Sequence, residues 1–365
     1  MKILHIHPSM RSGGIEAMIC ALANEMSKTD SVTVCSIFAP LSGDLFWNKL
    51  SPKVQKYNLG KTRSGFSLKE IFSVFNLIRR GGFDVVNMHG MFAYYVLSVL
   101  LLHNKTHFFY TVHSDAVMEN SRWDRKILAV KRFCFLRKYV TPITISNASQ
   151  NSFKNLYHCS SILIYNGIAK PDMKNSDFVA KYRFSPQTRV FIHAGRIDTP
   201  KNQLVLCKVF RHLIEDGEDV VLLIAGSKRR SDIFDSIKSY FCDRIVYLGE
   251  RNDITQLMAS CDAMCLPSLW EGLPVTLLEA ISVGCVPICS NVGGISEVIT
   301  SGINGILSES PSEDDFYSSV KQFLELSVSE RLSMSQHCRE SFYRFDIANT
   351  SREYINAYKS VLRES

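Results

Sequence analysis

Two glutamates lie in the otherwise apolar segment "SLWEGLPVTLLEA" (268–280), and their type and spacing suit the binding of sugars. Glu271 and Glu279 are separated by seven residues. A carboxylate that leaves water must find hydrogen-bond donors, and two adjacent sugar hydroxyls can both donate to one carboxylate. We therefore predict that the two glutamates hold two separate polyols, such as the hexose and the ribose of a nucleotide sugar.

The residues around the glutamates predict a loop followed by a helix. Pro274 fits the first turn of a helix, where its missing N–H costs nothing, and Gly284 fits a helix end. Glu271 then precedes the helix, where its charge could simply compensate the helix dipole. Glu279 lies inside the helix beside leucines, where that explanation does not apply, and we expect it to be buried.

Two cations follow a different predicted strand and indicate a diphosphate site. Arg196 and Lys201 flank the loop "RIDTPKN" (196–202), which leads into a helix. Fixed cations beside a helix N-terminus suit a diphosphate, and they can take the negative charge that develops when a diphosphate leaves. The sequence contains no Asp-x-Asp pair that would hold a divalent ion, so we predict no metal site. A solvated loop remains the alternative.

Two glycines after the first strand are a second candidate phosphate contact. Gly13 and Gly14, in "SGGIE" (12–16), open a helix and could bring backbone N–H groups close to an anion. The pattern is not G-x-G-x-x-G, so a nicotinamide dinucleotide is not predicted. A simple turn with a helix cap is the alternative.

A histidine at another strand end is a candidate for contact with the ligand. His113 follows "HFFYTV", and imidazole at such a place can donate to a ligand oxygen or shuttle a proton. His5, His7 and His89 compete for the same role. His5 and His7 alternate within one strand, and we predict that these two are structural.

Strands and helices alternate along the chain, which predicts parallel sheets covered on both faces. The predicted strands are 2–7, 31–38, 84–90, 107–113, 139–146, 161–167, 189–195, 220–226, 244–249, 263–268 and 286–290. The pattern restarts near residue 189, after a polar linker at 166–177. We therefore predict an α/β protein with two doubly wound, Rossmann-like domains. One comprises 1–168 with a C-terminal helix at about 346–365, and the other comprises 169–345.

The composition is that of a globular protein long enough for two domains. The chain has 365 residues, of which 46% are apolar and 21% charged. Its eleven cysteines include Cys261/Cys265 and Cys285/Cys289, which fall in strand-like runs and are predicted to be buried free thiols of a cytoplasmic protein. The N-terminus lacks the apolar core of an export signal. The apolar run at 93–103 is too short to cross a bilayer and is predicted to be a core helix.

The net charge of +7 is concentrated in the first half of the chain. Residues 1–165 hold 20 Lys and Arg against 9 Asp and Glu, which predicts an anionic partner. In segment 122–138 five of the seven basic residues interleave with Phe133, Phe135 and Leu136; they are Lys126, Lys131, Arg132, Arg137 and Lys138. Such a helix suits the anionic inner face of a cell membrane. A solvated helix with an apolar core side remains the alternative, and nucleic acid is not predicted.

The segment "CDAMCLPSLWEGLPVTLLEAISVGCVPICSNVGGISEVI" (261–299) resembles the family-four retaining glycosyltransferases of GT-B fold. It contains their E-x7-E motif, "EGLPVTLLE". The resemblance extends to "GRIDTPKN" (195–202), "YNGI" (165–168), "TVHS" (111–114), "SGGIE" (12–16) and "VYLGERNDI" (246–254). Order and spacing agree along nearly the whole chain. The long block is highly specific, whereas "SGGIE" or "TVHS" alone is weak.

This resemblance implies two facing Rossmann-like domains with an interdomain cleft, and a nucleotide-sugar donor held mainly by the second domain. Arg196 and Lys201 would bind the diphosphate, Glu279 the ribose and Glu271 the transferred sugar, which His113 would reach from the first domain. The other implied donor contacts are Gly13 and Gly14 near the phosphates, Gly249, Arg251 and Asn252 beside the base, and the backbone of Gly272, Leu273, Pro274, Val275 and Thr276 near the sugar.

The resemblance also implies the reaction. A hexose would pass from a UDP- or GDP-linked donor to a glycan or lipid-linked acceptor, with its anomeric configuration retained and without a metal or other cofactor. The departing phosphate would take the acceptor's proton on the same face. A helix at 344–362 would cross back to the first domain. Synthesis of a bacterial surface polysaccharide is the process that fits a basic, membrane-facing acceptor domain.

Other functions stay open at the level of sequence. A nucleotide-sugar epimerase or hydrolase would use the same fold, and a non-catalytic membrane-associated scaffold would keep it. A phosphorylase normally has a much longer chain and a pyridoxal-bound lysine, which nothing marks here. A dehydrogenase lacks its glycines and its acidic ribose partner.

Overall fold

The chain folds into two compact units, each built on one parallel sheet. The computed structural model describes residues 1–11, 13–41, 44–63, 65–120, 122–173 and 177–364. The first unit comprises Met1–Ala169 and Asp346–Ser365, and the second comprises Lys170–Phe345. Residues 174–176 of the predicted linker lie outside the described residues. The predicted α/β class with two doubly wound, Rossmann-like sheets is confirmed.

The elements of the first unit alternate between strand and helix. Its strands are β1 (Lys2–His7), β2 (Ser31–Phe38), β3 (Gln55–Lys61), β4 (Val85–His89), β5 (His107–Val112), β6 (Val140–Thr144) and β7 (Ile162–Leu163). Its helices before the linker are α1 (Gly14–Met26), α2 (Leu45–Lys49), α3 (Leu68–Gly81), α4 (Val96–Leu102), α5 (Ala116–Glu119), α6 (Arg122–Lys126), α7 (Leu128–Leu136) and α8 (Asn147–Tyr157). A short 3-10 helix spans Phe92–Tyr94.

The second unit repeats the alternation. Its strands are β8 (Arg189–Ala194), β9 (Val220–Ala225), β10 (Ile245–Gly249), β11 (Ala263–Leu266), β12 (Val286–Ser290) and β13 (Ile306–Ser308). Its helices are α9 (Gln203–Glu215), α10 (Ser231–Lys238), α11 (Ile254–Ser260), α12 (Val275–Val283), α13 (Glu313–Glu325) and α14 (Val328–Ser341). Its 3-10 helices are Ala180–Tyr182, Thr199–Lys201, Ile295–Glu297 and Phe342–Phe345.

Both sheets reverse their strand order next to their first strand. The order is β3-β2-β1-β4-β5-β6-β7 in the first unit and β10-β9-β8-β11-β12-β13 in the second. Every named strand pair is parallel. Strands such as β9 are buried along their whole length, and their sequences are therefore continuous apolar runs. The carboxyl ends of β1 and β4, and of β8 and β11, therefore flank the points at which such sheets bind ligands.

A final helix, α15 (Ile347–Glu364), joins the first unit. The side chains of Tyr354 and Tyr358 are buried in it. The Asn87 side-chain amide donates to the Tyr358 hydroxyl at 2.9 Å, and the hydroxyls of Thr111 and Tyr354 lie 3.3 Å apart. The expected C-terminal helix therefore packs under β4 and β5, the strands that end at His89 and next to His113.

Three elements differ from the sequence expectation. β3 was not predicted because it is an edge strand paired only with β2, and its largely exposed residues lack an apolar pattern. β13, at the edge of the second unit's sheet, was also not predicted, and it is only three residues long. The segment 93–103 is not wholly core, because Leu100 and Leu101 of α4 are exposed.

Candidate functional site

The loop after β8 and the loop after β11 lie side by side because these strands are paired neighbours. In the first loop the Asp198 carboxylate accepts a hydrogen bond from the Thr199 amide at 2.9 Å and so caps the 3-10 helix that ends at Lys201. The two loops are tied together by the Leu269 amide, which donates to the Pro200 carbonyl at 2.8 Å. Lys201 is thereby held beside the second loop.

Lys201 and Glu271 form an ion pair at this place. Lys201 Nζ lies 2.5 Å from Glu271 Oε1, and Ser268 Oγ donates to the same carboxylate oxygen at 2.7 Å. The two side chains are 18% and 11% exposed, so the pair is largely withdrawn from water. The sequence predicted separate roles for Lys201 and Glu271, and their pairing was not predicted. Ser268 was not singled out either.

Glycines fix the backbone around the pair. Gly293 has φ +57°, and a Cβ on it would lie 1.9 Å from the Glu271 carbonyl oxygen. The Gly294 amide donates to the Gly272 carbonyl at 2.8 Å. The turn after β12 therefore packs directly against the Glu271 loop. These glycines lie inside the motif block, but nothing in the motif by itself shows that they contact Glu271.

A buried histidine supports the cationic loop from below. His193 Nδ1 donates to the Cys265 carbonyl at 2.9 Å, so its Nε2 accepts from the Gln203 side-chain amide at 3.1 Å. The same amide nitrogen donates to the Arg196 carbonyl at 2.8 Å. Burial, with a smaller contribution from the Lys201 charge, lowers the pKa of His193 to about 4. The ring is therefore a neutral spacer that orients this loop, a role that the sequence analysis missed.

Arg196 itself projects outward from this support. Its side chain is exposed, and among the described residues its guanidinium forms no ion pair. On the adjacent strand a Cβ at Gly226 would lie 1.9 Å from the Gly195 carbonyl oxygen, so only glycine allows the two strand ends to approach so closely. Arg196 and Lys201 thus lie on one rigid loop. The Arg196 side chain is exposed, whereas Lys201 is paired with Glu271.

Glu279 lies on the open stripe of helix α12. The expectation that it is buried is wrong: its side chain is half-buried, as are those of Thr276 and Ser282 one turn before and after it. Leu277, Leu278 and their neighbours on the other faces are buried. The period of three in exposure shows that this stripe is the least buried side of the helix. Gly284, with φ +76°, ends the helix as predicted, whereas Pro274, expected in the first turn, lies directly before the helix as its N-cap.

The loop expected beside the base is closed on itself. Gly249 ends β10 with φ +73°, and its carbonyl accepts from the Gly226 amide at 2.8 Å. The Arg251 guanidinium donates through two nitrogens to the Asp253 carboxylate, at 2.9 and 2.5 Å. This pairing raises the pKa of Arg251 and lowers that of Asp253. A ligand that uses Arg251 has to compete with Asp253 for its N–H groups.

In the first unit the glycine turn precedes α1. Gly13 is extended, and a Cβ on it would lie 2.5 Å from a carboxylate oxygen of Glu16, a buried residue of the first helical turn. The atom that a side chain at Gly13 would meet is the end of the flexible Glu16 side chain, so this contact by itself does not require glycine. Gly14 is the first residue of the helix. Ser12, which begins this motif, lies outside the described residues.

His113 is brought together with two of the histidines that competed with it. Its Nε2 lies 2.8 Å from His89 Nδ1, and His89 Nε2 lies 3.1 Å from His5 Nδ1. His7 donates instead to the Ser9 carbonyl, at 2.5 Å. The His113 amide donates to Glu119 at 2.6 Å. Burial lowers the pKa of His113 to about 3.

The basic segment 122–138 forms two helices, α6 and α7, and one of its five named cations does not face solvent. Lys131 is 2% exposed, donates to the Asn120 side-chain oxygen at 3.0 Å and lies 4.2 Å from the centre of the Tyr110 ring. Phe135 is buried as well. Seven exposed residues of the segment are called here the basic apolar face: Trp123, Lys126, Arg132, Phe133, Leu136, Arg137 and Lys138.

Comparison with known proteins identifies the family. Residues 12–170 match the family model described as Glycosyltransferase Family 4, and residues 175–341 match the one described as Glycosyl transferases group 1. The two matches follow one another and together span most of the chain. The chain is a glycosyltransferase.

Bacterial glycosyltransferases are among the relatives of this glycosyltransferase. It is 27% identical over 296 residues to the Escherichia coli UDP-Gal:alpha-D-GlcNAc-diphosphoundecaprenol alpha-1,3-galactosyltransferase, covering 74% of each chain. It is 25% identical over 309 residues to the Staphylococcus aureus capsular polysaccharide biosynthesis glycosyltransferase CapH, covering 82% of this chain and 83% of that one. The crystal structure of Anabaena HepE in complex with UDP and glucose superposes with a TM-score of 0.82 at 19% identity, covering 99% and 100% of the two chains. This last likeness shows that the glycosyltransferase has the GT-B fold.

Among the described residues of the glycosyltransferase, no helix has both the length and the apolarity that a membrane span requires. In the same ranges no group of three or more His, Cys, Asp or Glu residues is arranged to hold a metal ion. Cys261, Cys265, Cys285 and Cys289 are buried free thiols, as predicted.

Proposed function

We propose that this glycosyltransferase moves a hexose from a UDP- or GDP-linked donor to a glycan or lipid-linked acceptor, with retention of the anomeric configuration. The observation that supports this best is the Lys201–Glu271 pair, 2.5 Å apart at the carboxyl ends of β8 and β11. That point of the sheet is where doubly wound folds bind nucleotides. A cation for a diphosphate and a carboxylate for sugar hydroxyls are therefore adjacent.

In this proposal the diphosphate competes with Glu271 for Lys201. A diphosphate presents more charge and more acceptor oxygens than one carboxylate, so donor binding draws the Lys201 ammonium toward the phosphates, where exposed Arg196 joins it. Glu271 then loses its cation and accepts hydrogen bonds from hydroxyls of the hexose, while Ser268 keeps one carboxylate oxygen in place. Glu279, on the open stripe of α12, accepts from the ribose hydroxyls.

The same cations serve the chemical step. As the bond between the anomeric carbon and the diphosphate breaks, negative charge grows on the phosphate oxygens, and fixed positive groups stabilise it without reorganising. The acceptor oxygen bonds to the anomeric carbon on the face from which the diphosphate leaves, and the departing phosphate takes the proton of that acceptor hydroxyl. Because the new bond forms on the face of the broken one, the anomeric configuration is retained. No bound metal takes part in this mechanism.

Other residues complete the donor site in the proposal. The backbone from Gly272 to Thr276, at the start of α12, surrounds the sugar and phosphates. Gly249, Arg251 and Asn252 flank the base after Arg251 exchanges its partner Asp253. His113 contacts the sugar, and Gly13 and Gly14 approach the phosphates.

The acceptor is proposed from the relatives and from surface charge. The Escherichia coli relative is named for a lipid-linked acceptor and CapH for capsular polysaccharide synthesis. The basic apolar face of the first unit suits an anionic surface that carries such lipids. We therefore propose synthesis of a bacterial surface polysaccharide by a cytoplasmic enzyme attached peripherally to the inner face of the cell membrane.

A donor panel tests the proposal directly. The purified chain is incubated with UDP- and GDP-linked hexoses, with and without lipid-linked acceptors, and products are read by mass spectrometry and by NMR for anomeric configuration. We expect one donor to be consumed in the presence of a chelator and the product to keep the donor's configuration. Inverted product, loss of turnover with the chelator, or isomerised donor without transfer would each contradict the proposal.

A further inference from the structure

Three histidines of the first unit form a hydrogen-bonded chain. The proposed mechanism uses only the last of them, His113. His5 is on β1, His89 ends β4 and His113 follows β5. The contacts are 3.1 Å between His5 Nδ1 and His89 Nε2, and 2.8 Å between His89 Nδ1 and His113 Nε2. His5 and His89 are fully buried, and His113 is 8% exposed.

The two ends of the chain differ. At one end His5 Nε2 lies 3.5 Å from the sulfur of Met26, on α1. At the other end His113 Nδ1 is buried and has no hydrogen-bond partner among the described residues. Burial lowers the pKa of His5 to about 4 and of His113 to about 3, and burial with the neighbouring histidines keeps that of His89 well below its usual value. Each ring is therefore neutral near pH 7 and carries a single N–H.

One N–H on each ring leaves two arrangements in which both histidine contacts are hydrogen bonds. In the first, every proton is on Nε2, so that His113 donates to His89, His89 donates to His5 and His5 donates to the Met26 sulfur. In the second, every proton is on Nδ1 and the direction is reversed. Any mixed arrangement places two N–H groups or two lone pairs against each other.

The first arrangement satisfies the chain better. It uses all three N–H groups, and it ends in an unprotonated Nδ1 on His113. The second leaves the His113 N–H buried without an acceptor and turns a nitrogen lone pair of His5 toward the lone pairs of the Met26 sulfur. A buried donor without a partner is costly, so the position of Met26 selects the first direction.

We propose that Met26, His5 and His89 are positioning residues that fix His113 as its Nε2–H tautomer, so that His113 Nδ1 is an unprotonated hydrogen-bond acceptor. A neutral acceptor binds a hydroxyl and repels a phosphate oxygen. His113 therefore accepts a hydrogen bond from a hydroxyl of the transferred sugar and neither shuttles a proton nor binds the diphosphate. The identity of this ligand rests on the proposed function, whereas the tautomer does not.

The tautomer is measurable in the ligand-free full-length chain. The ten histidines are labelled with ¹⁵N, and long-range proton–nitrogen correlation spectra distinguish Nδ1–H from Nε2–H rings. A His113→Gln variant assigns the His113 signals. We expect a neutral Nε2–H ring for His113 from pH 8 down to pH 5. A protonated Nδ1 on His113 in that range would overturn the proposal.

Kinetics test whether the chain acts on the ligand. His89→Leu removes the acceptor for His113 Nε2–H, whereas His89→Asn restores an amide oxygen near the position of Nδ1. We expect the leucine variant to lose about tenfold in kcat/KM for the donor sugar, as for one hydrogen bond, and the asparagine variant to recover most of it. His103→Leu, a histidine of the same unit outside the chain, serves as the control.

The two measurements separate the two proposals. Equal losses in the leucine and asparagine variants would refute the positioning role. If the leucine variant does not fold, the tautomer of the wild-type ring still decides. A protein in which His113 has the expected tautomer but which turns over no nucleotide sugar would refute the proposed function. The proposal that Met26, His5 and His89 fix the tautomer would remain.

Discussion

At the scale of residues, burial separates the Lys201–Glu271 pair from an ordinary surface pair. The second unit also contains Lys208 and Glu313, 3.3 Å apart, but these side chains are 42% and 39% exposed, against 18% and 11% for Lys201 and Glu271. Water and salt screen an exposed pair such as Lys208–Glu313, so that it contributes little or no net stability. A pair withdrawn from water keeps its interaction, and removal of one partner leaves the other charge poorly solvated.

Replacement of Lys201 with methionine should lower kcat/KM for the donor by roughly 100-fold or more, because a fixed cation at a leaving diphosphate is lost. Lys208→Met is the matched control, with the same change on the same unit at an exposed pair, and its kcat/KM should stay within about twofold of wild type. Steady-state kinetics on the donor chosen from the panel provide the comparison. Similar kcat/KM values for the two variants would exclude Lys201 from the site.

At the scale of elements, the turn after β12 determines where the Glu271 loop lies. Gly293 combines a left-handed φ of +57° with a Cβ position that would overlap the Glu271 carbonyl at 1.9 Å. Gly302 also has a left-handed φ, +81°, but nothing lies within 4 Å of its Cβ position. A side chain at either glycine would therefore strain the backbone. Only a side chain at Gly293 would also contact the Glu271 loop.

Gly293→Ala should move the Glu271 loop and lower kcat by more than about tenfold, since a small displacement at a positioned group is costly. Gly302→Ala should destabilise the fold by about 1 kcal/mol through φ alone and leave kcat unchanged. Thermal unfolding and kcat are measured on both variants. Loss of activity in proportion to loss of stability for both would argue against a specific role for the turn.

At the scale of the whole molecule, charge is distributed between the units in a way that favours one surface for a membrane. The first 165 residues hold 20 Lys and Arg against 9 Asp and Glu, whereas the remaining residues hold 22 against 26. The basic apolar face places exposed Trp123, Phe133 and Leu136 among four cations. Aromatic and aliphatic side chains beside Lys and Arg suit the interface of an anionic bilayer.

Arg132→Glu with Arg137→Glu should abolish flotation of the chain with vesicles containing anionic lipid, because each basic residue near such a surface contributes about 1 kcal/mol. Lys181→Glu with Lys238→Glu makes the same change in charge on exposed residues of the second unit and should leave flotation intact. Wild-type chain that floats equally with neutral and anionic vesicles would remove the membrane proposal.

The regular part of the fold was predictable because its signal is local. Buried parallel strands such as β8 and β9 need continuous apolar runs, and Gly284 is needed to end α12 with φ +76°. β3 was missed because an edge strand does not need that pattern. Lys131 was assigned to a basic surface because its sequence neighbours are basic, whereas its Nζ lies among buried aromatic rings and Asn120.

The sequence by itself determined the two doubly wound sheets and the residue types that follow their strands, since both depend on the order of residues along the chain. Only the tertiary structure decided which of those residues meet. Lys201 pairs with Glu271 70 residues later, and His5, His89 and His113 meet because β1, β4 and β5 are neighbours in the sheet. Hydrogen bonds and ion pairs depend on distances of about 3 Å, and such distances are set by strand order and packing rather than by position in the sequence.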